Sequence, residues 1–146
     1  MNHKKLKIIT IADLTWQNGI EYAVEGVRRA RDLGVNLSYT IFGDGPLLDA
    51  IAFAIHDSQL SDCCRLVRNL NRRKFKIVPD IVLVPAVAPG YKLNIELMNN
   101  SLIHWIMTSV ISEAALITKS ENHTIVPRWD SQSIADVLIS IYQRII

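Results

Sequence analysis

Short apolar runs alternate along this chain with segments whose apolar residues recur at helical spacing. Residues 7–12 (KIITIA), 37–42 (LSYTIF) and 81–84 (IVLV) are rich in β-branched or aromatic side chains, which is typical of strands. Between the first two runs, residues 20–30 place apolar side chains on one helical face. Such alternation indicates βαβ units, and right-handed crossovers then place helices on both faces of one parallel sheet. The sequence therefore predicts an α/β fold with a doubly wound, Rossmann-like parallel sheet, in a single three-layer domain over residues 1–146.

The ends of the predicted helices carry recognisable signals. Asn18 and Glu21 form a capping-box pattern at the start of the first helix, and Gly34 marks its end. Pro46 suits the first turn of a second helix, which runs to about residue 55. The remaining predicted elements are strands at residues 65–67, 102–107 and 125–126, a small helix or loop at residues 71–77, helices from near residue 93 and around residues 112–118, and a last helix capped by Asp130 or Ser131.

The composition bounds the class of protein. The 146 residues are 49% hydrophobic and 21% charged, which fits one domain with a substantial core, and the net charge of +2 by itself implies no partner. No apolar run approaches the roughly 20 residues needed to cross a bilayer. Cys63 and Cys64 are adjacent, so they offer neither metal-ligand spacing nor a disulfide framework, and no metal site is predicted. We expect a cytoplasmic protein, with peripheral attachment to a membrane left open.

The stretch from residue 80 to residue 101 is the first place to expect a ligand. A strand buried on both faces ends at Pro85, a loop containing Pro89 and Gly90 follows, and a helix begins near Leu93. In open α/β sheets, ligands bind outside the carboxyl ends of the strands, where such loops lead into helices.

Several stretches together resemble one enzyme family. Residues 11–27 (IADLTWQNGIEYAVEGV), residues 39–51 (YTIFGDGPLLDAI), the region from 80 to 101 and the tail at 125–138 (IVPRWDSQSIADVL) are similar to the C-terminal, donor-binding half of retaining GT-B glycosyltransferases of family 4. Glu113 also lies where such domains often carry a glutamate. The resemblance covers almost the whole chain, and its most specific part is the GDGP turn together with the order and spacing of the other segments.

The resemblance implies a nucleotide-diphospho-sugar donor as substrate, with no separate cofactor. It also implies that the acceptor is held mainly by an N-terminal domain, for which this sequence shows no counterpart. An acceptor-domain partner chain or self-association is therefore expected.

The positions that hold the donor's diphosphate in the family have changed here. A sugar-nucleotide diphosphate carries about two negative charges, which need cations and backbone N–H donors. In the family an arginine and a lysine supply the cations, and the matching positions are Asp13 and Asn18, the latter just before Gly19. A like-charge contact of Asp13 with phosphate costs about 4 kcal/mol at ~4 Å and an effective dielectric near 20.

The glutamate pair of the family is only partly retained. Pro89 occupies the position of the glutamate beside the transferred sugar. Glu96 matches the glutamate that holds the ribose hydroxyls, although it lies one residue closer to the first position than the pattern requires. The turn between them reads Gly90-Tyr91-Lys92, so its second glycine is replaced. Lys92 either restores a cation for phosphate or is a solvated loop lysine, and Glu96 is either a ribose ligand or a surface residue.

Two further features have a structural and a functional interpretation. Gly43, Asp44 and Gly45 build the turn after the second strand and line the expected cleft, mainly as structural residues. A basic run with no acid among twelve residues would suit an anionic surface, or is simply a solvated face; it consists of Arg65, Arg68, Arg72, Arg73, Lys74 and Lys76. Nucleic acid is not expected, because no RNA-binding or helix-turn-helix signature accompanies the run.

The sequence thus predicts a glycosyltransferase-like domain with degraded donor chemistry and no assigned catalytic residue. We expect it to be weakly active or inactive by itself. The alternatives are the donor-binding subunit of a split transferase completed by a partner chain, and a non-catalytic protein-interaction module on the same scaffold.

Overall fold

The computed structural model describes residues 4–68, 78–91, 102–110 and 122–146. Six parallel strands form one sheet in the order β3-β2-β1-β4-β5-β6. The strands are β1 (Leu6–Ile11), β2 (Leu37–Phe42), β3 (Cys64–Val67), β4 (Ile81–Val84), β5 (His104–Thr108) and β6 (His123–Val126). The described helices are α1 (Ile20–Asp32), α2 (Leu48–Asp57) and α3 (Ser131–Ile145), with a 3₁₀ turn at Trp16–Asn18. This strand order confirms the predicted doubly wound, Rossmann-like sheet.

The alternation of side chains along the strands produces a separate apolar cluster on each face of the sheet. One face packs against α1, α2 and α3, and its strand residues include Ile8, Tyr39, Ile41, Leu83 and Ile106. The other face carries a second buried cluster with Ile9, Phe42, Val82, Val84, Trp105 and Met107. All four residues of β4 are buried, as the continuous apolar run predicts for a central parallel strand.

Helices α1 and α3 approach each other closely at a glycine. A Cβ added to Gly26 would lie 2.7 Å from Cγ2 of Ile134, so a larger side chain here would push the two helices apart. Beside this contact, the Ser131 hydroxyl donates to the carbonyl of Tyr22 at 3.0 Å. The start of α3 is therefore fixed against the first turn of α1, near the carboxyl ends of the strands.

A buried hydrogen-bonded group links three neighbouring strands. The Thr10 hydroxyl in β1 lies 2.6 Å from the Tyr39 hydroxyl in β2 and donates to the carbonyl of Leu83 in β4 at 2.7 Å. Thr10 and Tyr39 are fully buried. Buried hydroxyls are tolerated when each finds a partner, and this group meets that condition.

Several predicted helix ends are confirmed, and two are wrong. Gly34 ends α1 with a φ of +99°, and Asp130 caps α3 by accepting from the Ser133 N–H at 2.9 Å. Asn18 does not cap α1, because Gly19 holds the cap position with a φ of +63°. Helix α2 begins at Leu48 rather than in the turn containing Pro46. The elements predicted around residues 71–77, 93 and 112–118 lie outside the described residues.

Within the described ranges, no helix combines the length and apolar character that crossing a bilayer requires.

Candidate functional site at the carboxyl edge of the sheet

The carboxyl ends of all six strands lie on one edge of the sheet because every strand pair is parallel. From β1 the chain runs outward through β2 and β3 on one side, and β4, β5 and β6 then extend the sheet on the other side of β1. The direction of the strand order therefore reverses between β1 and β4. This is the topological switch point at which open α/β sheets bind ligands. We call the loops after β1, β2 and β4, at residues 12–19, 43–46 and 85–91, the carboxyl-edge loops.

The loops after β1 and β2 are locked together by backbone contacts. Leu14 N–H donates to the Asp44 carbonyl at 2.9 Å, and Leu47 N–H donates to the Leu14 carbonyl at 3.0 Å. A Cβ on Gly43 would lie 1.8 Å from the Ala12 carbonyl oxygen, and one on Gly45 would lie 2.7 Å from that of Leu14. The two glycines of the GDGP turn are thus required by close backbone packing.

The loops after β1 and β4 meet at a third glycine. A Cβ on Gly19 would lie 2.2 Å from the Pro85 carbonyl oxygen, and its φ of +63° is itself unfavourable for other residues. The Gln17 carbonyl accepts hydrogen bonds from Val87 N–H at 2.8 Å and from Ala88 N–H at 3.2 Å. These contacts hold the two loops at the switch point in a fixed relation.

Asp13 and Asn18 lie in the loop after β1 and supply no positive charge. Asp13 is exposed, so solvent reaches its carboxylate at this edge. The Asn18 side chain is buried, and its Nδ2 donates to the backbone carbonyl of Asp13 at 2.7 Å. Asn18 therefore shapes the loop through a backbone contact, and the local charge at this position is negative.

The loop after β4 contains one open position and one buried aromatic ring. Gly90 has a φ of +111°, and a Cβ added there would meet no heavy atom of the described residues within 4 Å. The Tyr91 ring is buried, and its hydroxyl donates to the carbonyl of Ile11 at the end of β1. Burial raises the pKa of Tyr91 above its ordinary value, so the hydroxyl keeps its proton. Lys92 and Glu96, the predicted phosphate cation and ribose ligand, lie outside the described residues.

Asp44 is engaged within its own turn. Its Oδ1 accepts from Gly45 N–H at 2.8 Å, and its Oδ2 lies 3.2 Å from Nη2 of Arg68. The backbone hydrogen bond from Gly45, together with the Arg68 guanidinium, lowers the pKa of this carboxyl. Asp44 and Arg68 are both exposed, so the pair is screened by solvent.

The two described members of the basic run lie in different places. Arg68 pairs with Asp44 at the carboxyl edge. Arg65 lines an open cavity of about 420 Å³ together with Lys7, Ser38 and Thr40. Arg72, Arg73, Lys74 and Lys76 lie outside the described residues, so the predicted anionic surface stays a prediction.

Sequence reasoning missed a pair of residues in the loop after β6. Nη1 of Arg128 donates to the Val87 carbonyl at 3.3 Å, and the guanidinium carbon lies 4.3 Å from the ring centroid of Trp129. Trp129 has a φ of +59° and is 56% exposed, an unusual combination for a bulky aromatic residue. An arginine and a tryptophan in sequence between a strand and a helix cap could have flagged this loop.

In the part of the chain that the structure describes, no three His, Cys, Asp or Glu side chains gather closely enough to hold a metal ion. Burial raises the pKa of both thiols, that of Cys64 to about 12, so neither cysteine is an activated nucleophile.

Comparison with known proteins gives one similar curated sequence and many similar folds. No protein-family model matches the chain. The amylovoran biosynthesis glycosyltransferase AmsK of Erwinia amylovora is 29% identical to it over 150 residues, which take in 97% of this chain and 37% of AmsK. The chain therefore spans little more than a third of that relative.

Solved glycosyltransferase structures share the fold. The pneumococcal O-GlcNAc transferase GtfA, in complex with UDP and GlcNAc, superposes with a TM-score of 0.80 at 18% identity, over 95% of this chain and 29% of GtfA. The C-terminal domain of LpcC, a group 1 family glycosyl transferase from Francisella tularensis, gives 0.76 at 17% identity, over 95% of this chain and 75% of that domain. In sequence and fold, this chain is similar over nearly its whole length to the C-terminal half of GT-B glycosyltransferases.

Proposed function

We propose that the carboxyl-edge loops bind a nucleotide-diphospho-sugar weakly, and that this chain alone transfers the sugar slowly or not at all. The observation that carries the proposal is the switch point between β1 and β4, in a fold shared with a glycosyltransferase that was solved with UDP. Gly90 supports it further, because it is exposed and, within residues 78–91 and the other described ranges, nothing crowds its Cα.

The charges of the described loops explain why binding is expected to be weak. Asp13 presents a carboxylate at the switch point, and the side-chain amide of Asn18 donates to a backbone carbonyl. Pro89, exposed in the loop after β4, has no side chain that could assist at a sugar. Each missing cation or carboxylate removes an interaction whose contribution to a transition state is about 3 kcal/mol.

Calorimetry with UDP, GDP and their sugars, together with uridine and guanosine, tests this proposal. We expect binding in the micromolar to millimolar range for one nucleoside diphosphate, a weaker response to its nucleoside, and a rise in the melting temperature with the bound ligand. An absence of heat and of thermal shift at millimolar concentrations of every compound would reject donor binding. The interaction module would then become the preferred function.

A second candidate is the donor-binding subunit of a split transferase. The chain spans 37% of AmsK and 29% of GtfA, and in a split transferase a partner chain would supply the acceptor-binding part. Trp16 favours a contact at the carboxyl edge, because this large apolar side chain in the loop after β1 is 61% exposed. Sedimentation velocity over a range of concentrations would test self-association there: a complex that weakens in Trp16→Ser, but not in Phe53→Ser on α2, supports the contact.

A further inference from the structure

We propose that Arg128 provides the positive charge that meets the donor's diphosphate, and that Trp129 holds its guanidinium in place. The inference rests on the proposed function, since it assigns a phosphate contact to the same edge of the sheet. In the family that the chain resembles, this charge comes from the loop after the first strand, where this chain has Asp13 and Asn18.

Arg128 reaches the switch point although it follows β6, at one end of the sheet. Its Nη1 donates to the Val87 carbonyl at 3.3 Å. Val87 N–H donates in turn to the Gln17 carbonyl at 2.8 Å, and Cγ1 of Val87 would lie 3.1 Å from a Cβ on Gly19. The guanidinium therefore lies against the junction of the loops that follow β1 and β4.

The charges at this edge leave Arg128 available. Among the described loops at the carboxyl ends of the strands, the cations are Arg68 and Arg128. Arg68 is paired with Asp44, whereas Arg128 forms no ion pair in the described part of the chain. A guanidinium has five N–H donors, and the described structure commits one of them to Val87. The remaining donors suit a planar, bidentate contact with phosphate oxygens.

Trp129 is suited to hold the guanidinium rather than to bind the ligand itself. The guanidinium carbon lies 4.3 Å from the ring centroid, within the range of a cation–π contact. The ring is brought there by a left-handed backbone at Trp129, with a φ of +59°. The next residues fix the loop, because Asp130 caps α3 and Ser131 is bonded to Tyr22. Strain retained at an exposed aromatic residue points to a function for its position.

Calorimetric titration of UDP and of uridine into the wild-type chain and its variants tests the inference. We expect Arg128→Gln to weaken UDP binding about tenfold, as the loss of a charge-assisted hydrogen bond predicts, and to leave uridine binding unchanged. Arg128→Lys should bind UDP more tightly than Arg128→Gln but less tightly than the wild type, because it keeps the charge without the planar guanidinium. The matched control is Arg65→Gln, since Arg65 lines a cavity elsewhere and should not affect either ligand.

The outcomes separate the inference from the proposed function. Wild-type binding of UDP that Arg128→Gln leaves unchanged would overturn the role of Arg128 and leave donor binding intact. An equal loss in Arg65→Gln would also overturn it, because a general effect of net charge would then explain the data. No binding of UDP, GDP or their sugars to the wild type would reject donor binding itself.

Trp129→Ala tests the positioning role separately. We expect it to weaken UDP binding less than Arg128→Gln and to leave uridine binding unchanged. A loss of uridine binding would show that the ring stacks on the base, which contradicts the proposed positioning of Arg128. Circular dichroism melts of every variant establish that the comparison is made between folded proteins.

Discussion

The loops after β2 and β4 lie on the same edge of the sheet, yet their glycines serve opposite purposes. At Gly43 an added Cβ would lie 1.8 Å from a backbone oxygen, whereas at Gly90 it would meet no atom of the described part of the chain within 4 Å. The loop after β2 is therefore closed against its neighbour, whereas the loop after β4, as far as the structure describes it, has room beside Gly90. A glycine motif at a strand end thus indicates packing in one loop and access for a ligand in the other.

The largest expected effect is that of Gly43→Ala. Because the new Cβ must displace the Ala12 carbonyl, we expect a loss of about 3 kcal/mol or more in the free energy of unfolding. Gly90→Ala is the matched comparison, and the cost of its left-handed φ is about 1–2 kcal/mol. Urea denaturation measures both, and similar losses for the two variants would break the distinction between a closed and an open loop.

The next effect concerns Thr10, which lies near the carboxyl end of β1, between the strands that lead into these two loops. Thr10→Val keeps the shape but leaves the Tyr39 hydroxyl and the Leu83 carbonyl without this partner. We expect it to lower the free energy of unfolding by about 1–3 kcal/mol, the cost of a buried unsatisfied polar group.

Thr40→Val in β2 is the control for Thr10→Val, since Thr40 is partly exposed and lines the open cavity on the other face of the sheet. Equal losses of stability in the two valine variants would contradict the assigned role of the buried hydroxyl group.

A smaller effect is expected for a substitution at Asp13, which should change the affinity for UDP rather than the stability of the fold. Asp13→Asn removes a carboxylate from the switch point and should tighten UDP binding about five- to tenfold, since an exposed like charge costs about 1 kcal/mol in water. Asp49→Asn changes the net charge equally on the exposed side of α2 and serves as the control. Calorimetry that finds the same affinity in all three proteins would remove Asp13 from the ligand's surroundings.

The smallest effect is the pH dependence of the closed loop. The pKa of Asp44 is lowered by its hydrogen bond from Gly45 and by Arg68, so its ionised form stabilises the fold. This contribution is complete above the unfolded pKa of about 4 and is lost as the pH falls through the lower folded value. The difference in urea midpoint between the wild type and Asp44→Asn should therefore be larger at pH 7 than at pH 3. A difference independent of pH would show that the charge of Asp44 does not matter.

The sequence predicted the fold more completely than the candidate site. The residues of β2 and β4 were predicted with their observed bounds, because a buried parallel strand has a short run of β-branched and apolar side chains that can be recognised in the sequence. The last helix was predicted to be capped by Asp130 or Ser131, and Asp130 caps it through a contact with Ser133, only three residues away. The role of Asn18 was predicted wrongly, because its amide satisfies the Asp13 carbonyl instead of the helix end.

The sequence by itself determined the order and type of the described strands and main helices, the doubly wound sheet and the positions of the edge loops. The tertiary structure alone decided which side chains meet at that edge. Arg128 contacts Val87 across 41 positions in the chain, and Tyr91 bonds to Ile11 across 80. Periodicity and capping depend on residues a few positions apart, so they can be recognised in a sequence. A contact between distant loops exists only once the sheet has brought the ends of its strands together.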